Sequence, residues 1–267
     1  MKAPVIAFFN NKGGVGKTSL VYHLAWMMSD RGLRVVAADL DPQANLTANF
    51  LDEDQFMGLW PAGNGLTKLG RTIYGSLAPL IRGTGDIDDP PVLQVVDRLH
   101  LLPGDLALSK FEDELSNQWP DCLDGKERGF RVISAFWRLL SRASRHTEAD
   151  VVLVDVGPNL GAINRSALIA ANHVVIPLAP DLFSVQGLQN LGPTLRSWRS
   201  QWGGKAAQEP GSAAGPASGA NATGRVRRAR SRCAARPAGE GVPALDQPYS
   251  WRFPGVCPER GRAGTQR

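Results

Sequence analysis

Asn10-Asn11-Lys12-Gly13-Gly14-Val15-Gly16-Lys17-Thr18-Ser19 stands between two apolar runs, Val5–Phe9 before it and Leu20–Met28 after it. That order reads as strand, glycine-rich turn, helix, the arrangement of a loop that holds the phosphates of a nucleoside triphosphate. Glycines let the backbone turn tightly enough for its N–H groups to converge on phosphate oxygens, and the start of the following helix adds a favourable dipole. Gly13, Gly14, Val15, Gly16, Lys17, Thr18 and Ser19 are therefore the candidate nucleotide contacts, with Lys17 as the point charge on the phosphates and the Thr18 hydroxyl as a Mg²⁺ ligand. The loop departs from the ordinary phosphate-loop pattern, whose first glycine would fall where Asn11 sits, and it carries a second lysine, Lys12. A lysine at the mouth of such a site can reach phosphates of its own subunit or of a facing one.

Working outward, Arg34–Ala38 is a short apolar run that closes on Asp39-Leu40-Asp41-Pro42-Gln43. With the first strand and helix it makes a βαβ unit, in which ligands sit at the carboxyl ends of the strands. Asp39 and Asp41 are thus expected on the phosphate-loop side. Asp150-Val151-Val152-Leu153-Val154-Asp155 is a continuous apolar strand ending in a carboxylate, the form of a buried parallel strand. Asp155 at its end is placed to hold the water shell of a Mg²⁺ bound at Thr18. Further expected elements are helices over Ile73–Ile81, Leu106–Leu115, Phe130–Leu140, Asn164–Ala171 and Val185–Leu195, and strands over Leu99–Leu102 and His173–Leu178. Residues 46–98 carry the weakest pattern, with a loop expected over Phe56–Trp60, Pro61 and Gly63-Asn64-Gly65. The expected fold is α/β, a mostly parallel sheet flanked by helices.

Charge is divided unevenly. Residues 1–200 hold 19 Lys and Arg against 21 Asp and Glu, a net of −2, whereas residues 201–267 hold 11 against 4, a net of +7. The second segment is rich in Gly, Pro, Ala and Arg without an apolar period, a composition that does not repay the entropy of ordering. Two domains are expected: a nucleotide-binding domain over 1–200, which the family resemblance given below implies is incomplete at its C-terminal end, and a basic tail over 201–267. The tail is either a disordered segment or the product of an altered reading frame. Cys122, Cys233 and Cys257 have neither metal-ligand spacing nor a disulfide framework. With no signal-peptide pattern and no run of 18 apolar residues, the sequence places the chain in the cytoplasm and away from the membrane.

Taken together, Lys12-Gly13-Gly14-Val15-Gly16-Lys17-Thr18, Asp39-Leu40-Asp41-Pro42-Gln43-Ala44-Asn45, Leu101-Leu102-Pro103-Gly104-Asp105, Val154–Gly161 and Val175–Pro180 resemble the ParA family of partition ATPases. This is a P-loop NTPase group with a deviant Walker A loop, within a class that also holds MinD. The resemblance runs from about residue 4 to 200 and implies an ATP- and Mg²⁺-dependent sandwich dimer. It also implies non-specific DNA binding in the ATP state, association with the nucleoid, and hydrolysis stimulated by a ParB-like centromere-binding partner. Carried over by position, Lys12 would reach the partner's ATP, Lys17 the β- and γ-phosphates, and Asp41 would position the attacking water. Asp39 would lie near the metal with Thr18, and Asp155 would be the Walker B aspartate.

Two departures stand out. Gly157 replaces the first of the two prolines that the family usually carries after the Walker B aspartate, and 208–267 contains no apolar run comparable to Val151–Val154. Arg196 and Arg199, near the end of the last expected helix, are the candidate DNA contacts. The competing readings are a MinD-like positioning regulator at a membrane, a metabolic ATP-dependent ligase or reductase component, whose iron–sulfur form the cysteine spacing excludes, and an inactive truncated product. The first would want a C-terminal amphipathic basic helix, against which the glycines and prolines of 203–216 and 234–245 argue.

Overall fold

A computed structural model describes residues 3–60, 70–178 and 182–206. Among these, β1 (Val5–Phe8), β2 (Val35–Asp39), β3 (Leu93–Val96), β4 (Leu99–Leu102), β5 (Val151–Asp155) and β6 (His173–Val175) form one sheet. The strand order is β3-β4-β2-β5-β1-β6, and every pairing is parallel except the β3–β4 hairpin. The expected mostly parallel α/β architecture is the one observed.

Strand alternation sends neighbouring side chains to opposite faces, and here both faces are buried. Val5 and Ala7 of β1, Val36 and Ala38 of β2, and Val152 and Val154 of β5 enter one core. Ile6 and Phe8, Val35 and Ala37, and Val151 and Leu153 enter the other. The second core is closed by α1 (Lys17–Asp30), through Val21 and Ala25, and by α2 (Asn45–Phe50), through Leu46. A short α3 (Glu53–Met57) follows, started by a capping box in which Asp52 and Gln55 satisfy each other's backbone N–H. The first core is closed by α4 (Ile73–Arg82), α5 (Lys110–Leu123), α6 (Glu127–Ile133), α7 (Ala135–His146), α8 (Ala162–Ala170) and α9 (Leu182–Ala206). Phe111 of α5 meets Phe136 of α7 edge to face, with ring centroids 5.6 Å apart, and both are fully buried. Each ring contributes roughly 1.5–3 kcal/mol of burial.

Several elements differ from the sequence expectation. Leu106–Leu115 is not one helix: Leu106–Ser109 is a 3-10 turn capped by the Asp105 side chain, and α5 begins at Lys110 and runs through Pro120. The apolar period over Phe130–Leu140 is shared by two helices that meet at Ser134. Within 46–98 the helix expected over Ile73–Ile81 is α4, the start of the loop expected from Phe56 is the last turn of α3, and α2 and β3 are elements the sequence does not signal. The last strand stops at Val175, short of Leu178, and α9 continues to Ala206, so the expected domain boundary after residue 200 falls inside a helix. The remainder of the expected tail, 207–267, lies outside the described residues. No helix among the described residues is long and apolar enough to cross a membrane.

Gly129 shows how tightly α6 lies on α5. A Cβ there would fall on the backbone N of Cys122 and 2.7 Å from its Cα. Backbone cannot step aside as a side-chain tip can, so Gly129→Ala is expected to cost about 2 kcal/mol of unfolding free energy in urea titration. An unchanged midpoint would mean that the two helices are free to separate.

Candidate nucleotide site

Sheet register builds the site. Phe8 is paired with Asp155, and Asp155 with Asp39, so the end of β1, the end of β5 and the end of β2 lie side by side at one edge. The loop over 9–16 leaves β1 at that edge and delivers the chain into α1.

In this loop Gly14 and Gly16 have φ of 73° and 77°, left-handed values that favour glycine. Gly13 is different: its φ is not positive, and a Cβ there would touch nothing in the protein within 4 Å. The backbone at 13, 14 and 16 therefore lies open on its Cβ side, a cradle with room for a ligand. Gly16 is the N-cap of α1 and offers no side-chain acceptor to the helix's first N–H groups. Those donors face the loop, as an anion requires. Lys17, the first residue of α1, is buried, Thr18 is half-buried, and Lys12, Gly13, Gly14 and Ser19 are exposed. Asn10, which carries no signal of its own in the sequence, is a buried brace beneath them. Its Oδ1 accepts from the Lys12 backbone N–H at 3.0 Å, and its Nδ2 donates to the Pro177 carbonyl at 2.6 Å.

The three acids differ in their surroundings. Asp155 is fully buried, and neither carboxylate oxygen accepts a hydrogen bond of good geometry among the described residues. Burial pushes its pKa up to about 6; the nearby Thr18 hydroxyl and Lys17 pull it down and Asp41 pushes it up. A buried carboxylate without donors, beside a threonine hydroxyl, fits the hydrated shell of Mg²⁺. Asp39 is fully buried as well, yet well satisfied. Its Oδ2 accepts from the Thr47 N–H at 2.8 Å and the Thr47 hydroxyl at 2.7 Å, while its Oδ1 accepts from the Asp41 N–H at 3.2 Å. Burial raises its pKa to about 7 against the Thr47 hydrogen bonds, with Asp155 and Asp41 adding to the rise. Asp39 sits beside the site and organises its walls: Thr47 Oγ1 in turn accepts from the Gly104 N–H at 2.8 Å, and a Cβ on Gly104 would come within 2.9 Å of Asp39 Cγ. Asp41 is buried, and its Oδ1 accepts from the Gln43 N–H at 3.0 Å.

The loop from Val156 to Gly161 lies over Asp41. A Cβ at Gly157 would fall 3.4 Å from Asp41 Oδ1, so the loop passes the carboxylate with room for no more than about a methyl group between them. Asn164 of α8 holds this loop from below, its Nδ2 donating to the carbonyls of Gly157 at 2.8 Å and Asn159 at 2.6 Å. Glu112, from α5, accepts from the backbone N–H groups of Ala162 and Ile163. Neither Asn164 nor Glu112 is visible as a site residue in the sequence, because each acts through backbone groups of a distant or irregular segment. On α9, Arg196 is exposed, whereas Arg199 is half-buried and donates from Nη2 to the Ala171 carbonyl at 2.8 Å. Burial lowers the Arg199 pKa. The expected pair thus divides: Arg199 fastens α9 to the end of α8, and Arg196 is left facing solvent.

The AAA-domain family matches residues 3–205, most of the chain. The chain belongs to the ParA/MinD-like family of P-loop ATPases. Curated relatives of this ParA-like chain include the "Putative replication protein A" of Rhizobium rhizogenes, 32% identical over 69% of the chain and 42% of the relative. Protein IncC of Escherichia coli is 32% identical over 75% of the chain and 47% of its own length. The chromosome partitioning protein ParA of Caulobacter vibrioides is 29% identical over 73% of the chain and 63% of its own length. The ParA-like chain therefore spans about half the length of the curated relatives it matches. Among solved structures, protein DIP2308 from Corynebacterium diphtheriae superposes with a TM-score of 0.67 at 31% identity, covering 79% of the chain and 72% of that structure. The cobyrinic acid a,c-diamide synthase of Mycobacterium smegmatis, solved with ADP and magnesium, gives 0.54 at 26% identity over 74% and 69%. A ParA-like P-loop fold thus accounts for the register that brings the glycine loop, Asp39 and Asp155 to one edge.

Proposed function

We propose that this chain binds Mg²⁺-ATP and hydrolyses it slowly as a partition-type ATPase. The observation that carries the reading is the convergence of an open glycine cradle, buried Lys17 and the buried carboxylate of Asp155 beside Thr18 at the carboxyl edge of the sheet. Phosphoryl transfer needs positive charge on the phosphate oxygens, a metal clamp and an oriented water. Lys17 and the first N–H groups of α1 would hold the phosphates, and Thr18 and Asp155 would hold a hydrated Mg²⁺, which would supply positive charge to the phosphoryl group being transferred. Asp41 orients the water. Binding of ATP by the purified chain, followed by release of phosphate, tests this; an affinity for ATP no better than for free phosphate would sink it.

In the fuller reading, ATP draws two copies into a two-fold dimer with each Lys12 reaching the other copy's phosphates. Lys12→Ala is expected to keep ATP affinity within a few-fold and to stay monomeric with ATP in light scattering. A dimer of wild-type strength in this variant would remove the role of Lys12. The ATP-bound dimer holds DNA through phosphate contacts such as Arg196, and a ParB-like partner stimulates turnover. DNA affinity is expected to fall on the order of tenfold or more between about 50 and about 200 mM salt, because such contacts release counterions. Equal affinity at both concentrations would contradict an electrostatic interface.

A further inference from the structure

We infer that Glu112 is a positioning residue for hydrolysis, which sets the place of the Asp41 carboxylate through the loop that covers it. The inference rests on the reading of Asp41 as the residue that orients water.

Glu112 lies in the first turn of α5, fifty residues from the groups it holds. Both of its oxygens are used: Oε1 accepts from the Ala162 N–H and Oε2 from the Ile163 N–H, the latter at 2.8 Å. These are the first two residues of α8, whose own N-cap, Gly161, supplies no side-chain acceptor. A carboxylate brought from another helix thus replaces the missing cap, with favourable dipole as well as hydrogen bonds. The approach is close enough that a Cβ on Gly161 would fall on Glu112 Oε1.

Fixing the start of α8 fixes the loop before it. Gly161 N–H donates to Asn159 Oδ1 at 3.1 Å, and Asn164, one residue beyond the clamped pair, ties the carbonyls of Gly157 and Asn159 to the helix. The backbone at Gly157 passes beside the Asp41 carboxylate, close enough that a Cβ there would touch Oδ1 at 3.4 Å. Gly157 leaves the start of this loop free to turn, with Pro158 as its only ring, so clamping from outside the loop matters more there. The other end of the connection is equally short. The turn before α5 is held by Asp105, which caps it through the Ala107 N–H at 2.8 Å, and by Gly104, which reaches Asp39 through Thr47. Asp39 accepts from the Asp41 N–H. Glu112 therefore closes a ring that reaches Asp41 through its backbone N–H and passes beside its carboxylate, and a side chain enclosed in this way has less room to leave the geometry that suits water.

The test compares Glu112→Ala and Glu112→Gln with the wild-type chain and with Asp41→Asn, reading ATP affinity, single-turnover cleavage and amide exchange. Glu112→Ala is expected to bind ATP within about threefold of wild type and to cleave at least tenfold more slowly. Exchange should quicken at Ala162 and Ile163 while β5 stays protected. Glu112→Gln keeps one acceptor and should fall between the two, and it carries the test should the alanine variant fold poorly. In the Asp41→Asn background, Glu112→Ala should add no further slowing, because the two act as a unit. Wild-type cleavage by Glu112→Ala, or an additive loss in the double variant, would overturn the inference and leave Glu112 as a helix cap only. Wild-type cleavage by Asp41→Asn would instead overturn the reading on which it rests.

Discussion

Lys17→Ala is expected to weaken ATP binding by about 100-fold. Lys17 is the first residue of α1 and is only 8% exposed, so its ammonium meets phosphate where water screens little of the charge. Charge-assisted hydrogen bonds contribute about 1.5–3 kcal/mol each, and 1.4 kcal/mol is tenfold in affinity. A lysine that reaches two phosphates sits at the upper end of that range. The fold should persist, since alanine is the better helix former and the strands beneath are packed by other residues. Titration with a fluorescent ATP analogue, with circular dichroism to confirm the fold, checks the result. Affinity equal to wild type in a folded Lys17→Ala protein would remove the phosphate-loop assignment. Lys12→Ala is the contrasting control, since Lys12 is exposed on the loop.

The parts of this site that are legible in the sequence are those in which neighbouring residues specify local structure. β2 and β5 each read as a continuous apolar run closing on aspartate, and both are buried at every position. The glycine loop declares itself through residue types that few other structures require. What the sequence conceals depends on contacts between distant segments. β3 is hidden because its hairpin turns at Asp97-Arg98, without the glycine that usually follows Asp in a two-residue turn, and because a bulge breaks its register against β4. The division of α6 from α7 at Ser134 leaves the apolar period nearly intact, so periodicity alone joins them. Thr47, Asn164 and Glu112 look like ordinary helix-surface polar residues until the fold brings them to Asp39, Gly157 and Ala162. Asp39 is the instructive case: its position at the end of β2 on the side of the glycine loop follows from the strand, but its engagement by Thr47 depends on the turn into α2.

Asp41→Asn is expected to slow ATP cleavage by about 100- to 1,000-fold, roughly 3–4 kcal/mol of barrier, with ATP affinity unchanged or slightly improved. Asparagine has the shape of aspartate, so the turn survives: its side-chain oxygen can still accept from the Gln43 N–H and still lie under Gly157. What it loses is charge and one carboxylate acceptor. A water attacking the γ-phosphate must be held by an acceptor, and a neutral amide holds it more weakly. Binding should not suffer, since a carboxylate near the γ-phosphate repels the substrate and its neutralisation removes that repulsion. Asp39→Asn provides the comparison. Asp39 is fully buried and accepts from Thr47 twice and Asp41 once, so an amide there would turn a donor toward at least one of those donors. That variant should lose thermal stability as well as turnover, whereas Asp41→Asn should melt within a few degrees of wild type. Single-turnover cleavage of labelled ATP, with melting curves for both variants, separates the roles. Cleavage at the wild-type rate by Asp41→Asn would leave the attacking water without its orienting residue at this position, and the search would move to the exposed face of the loop that follows Asp155.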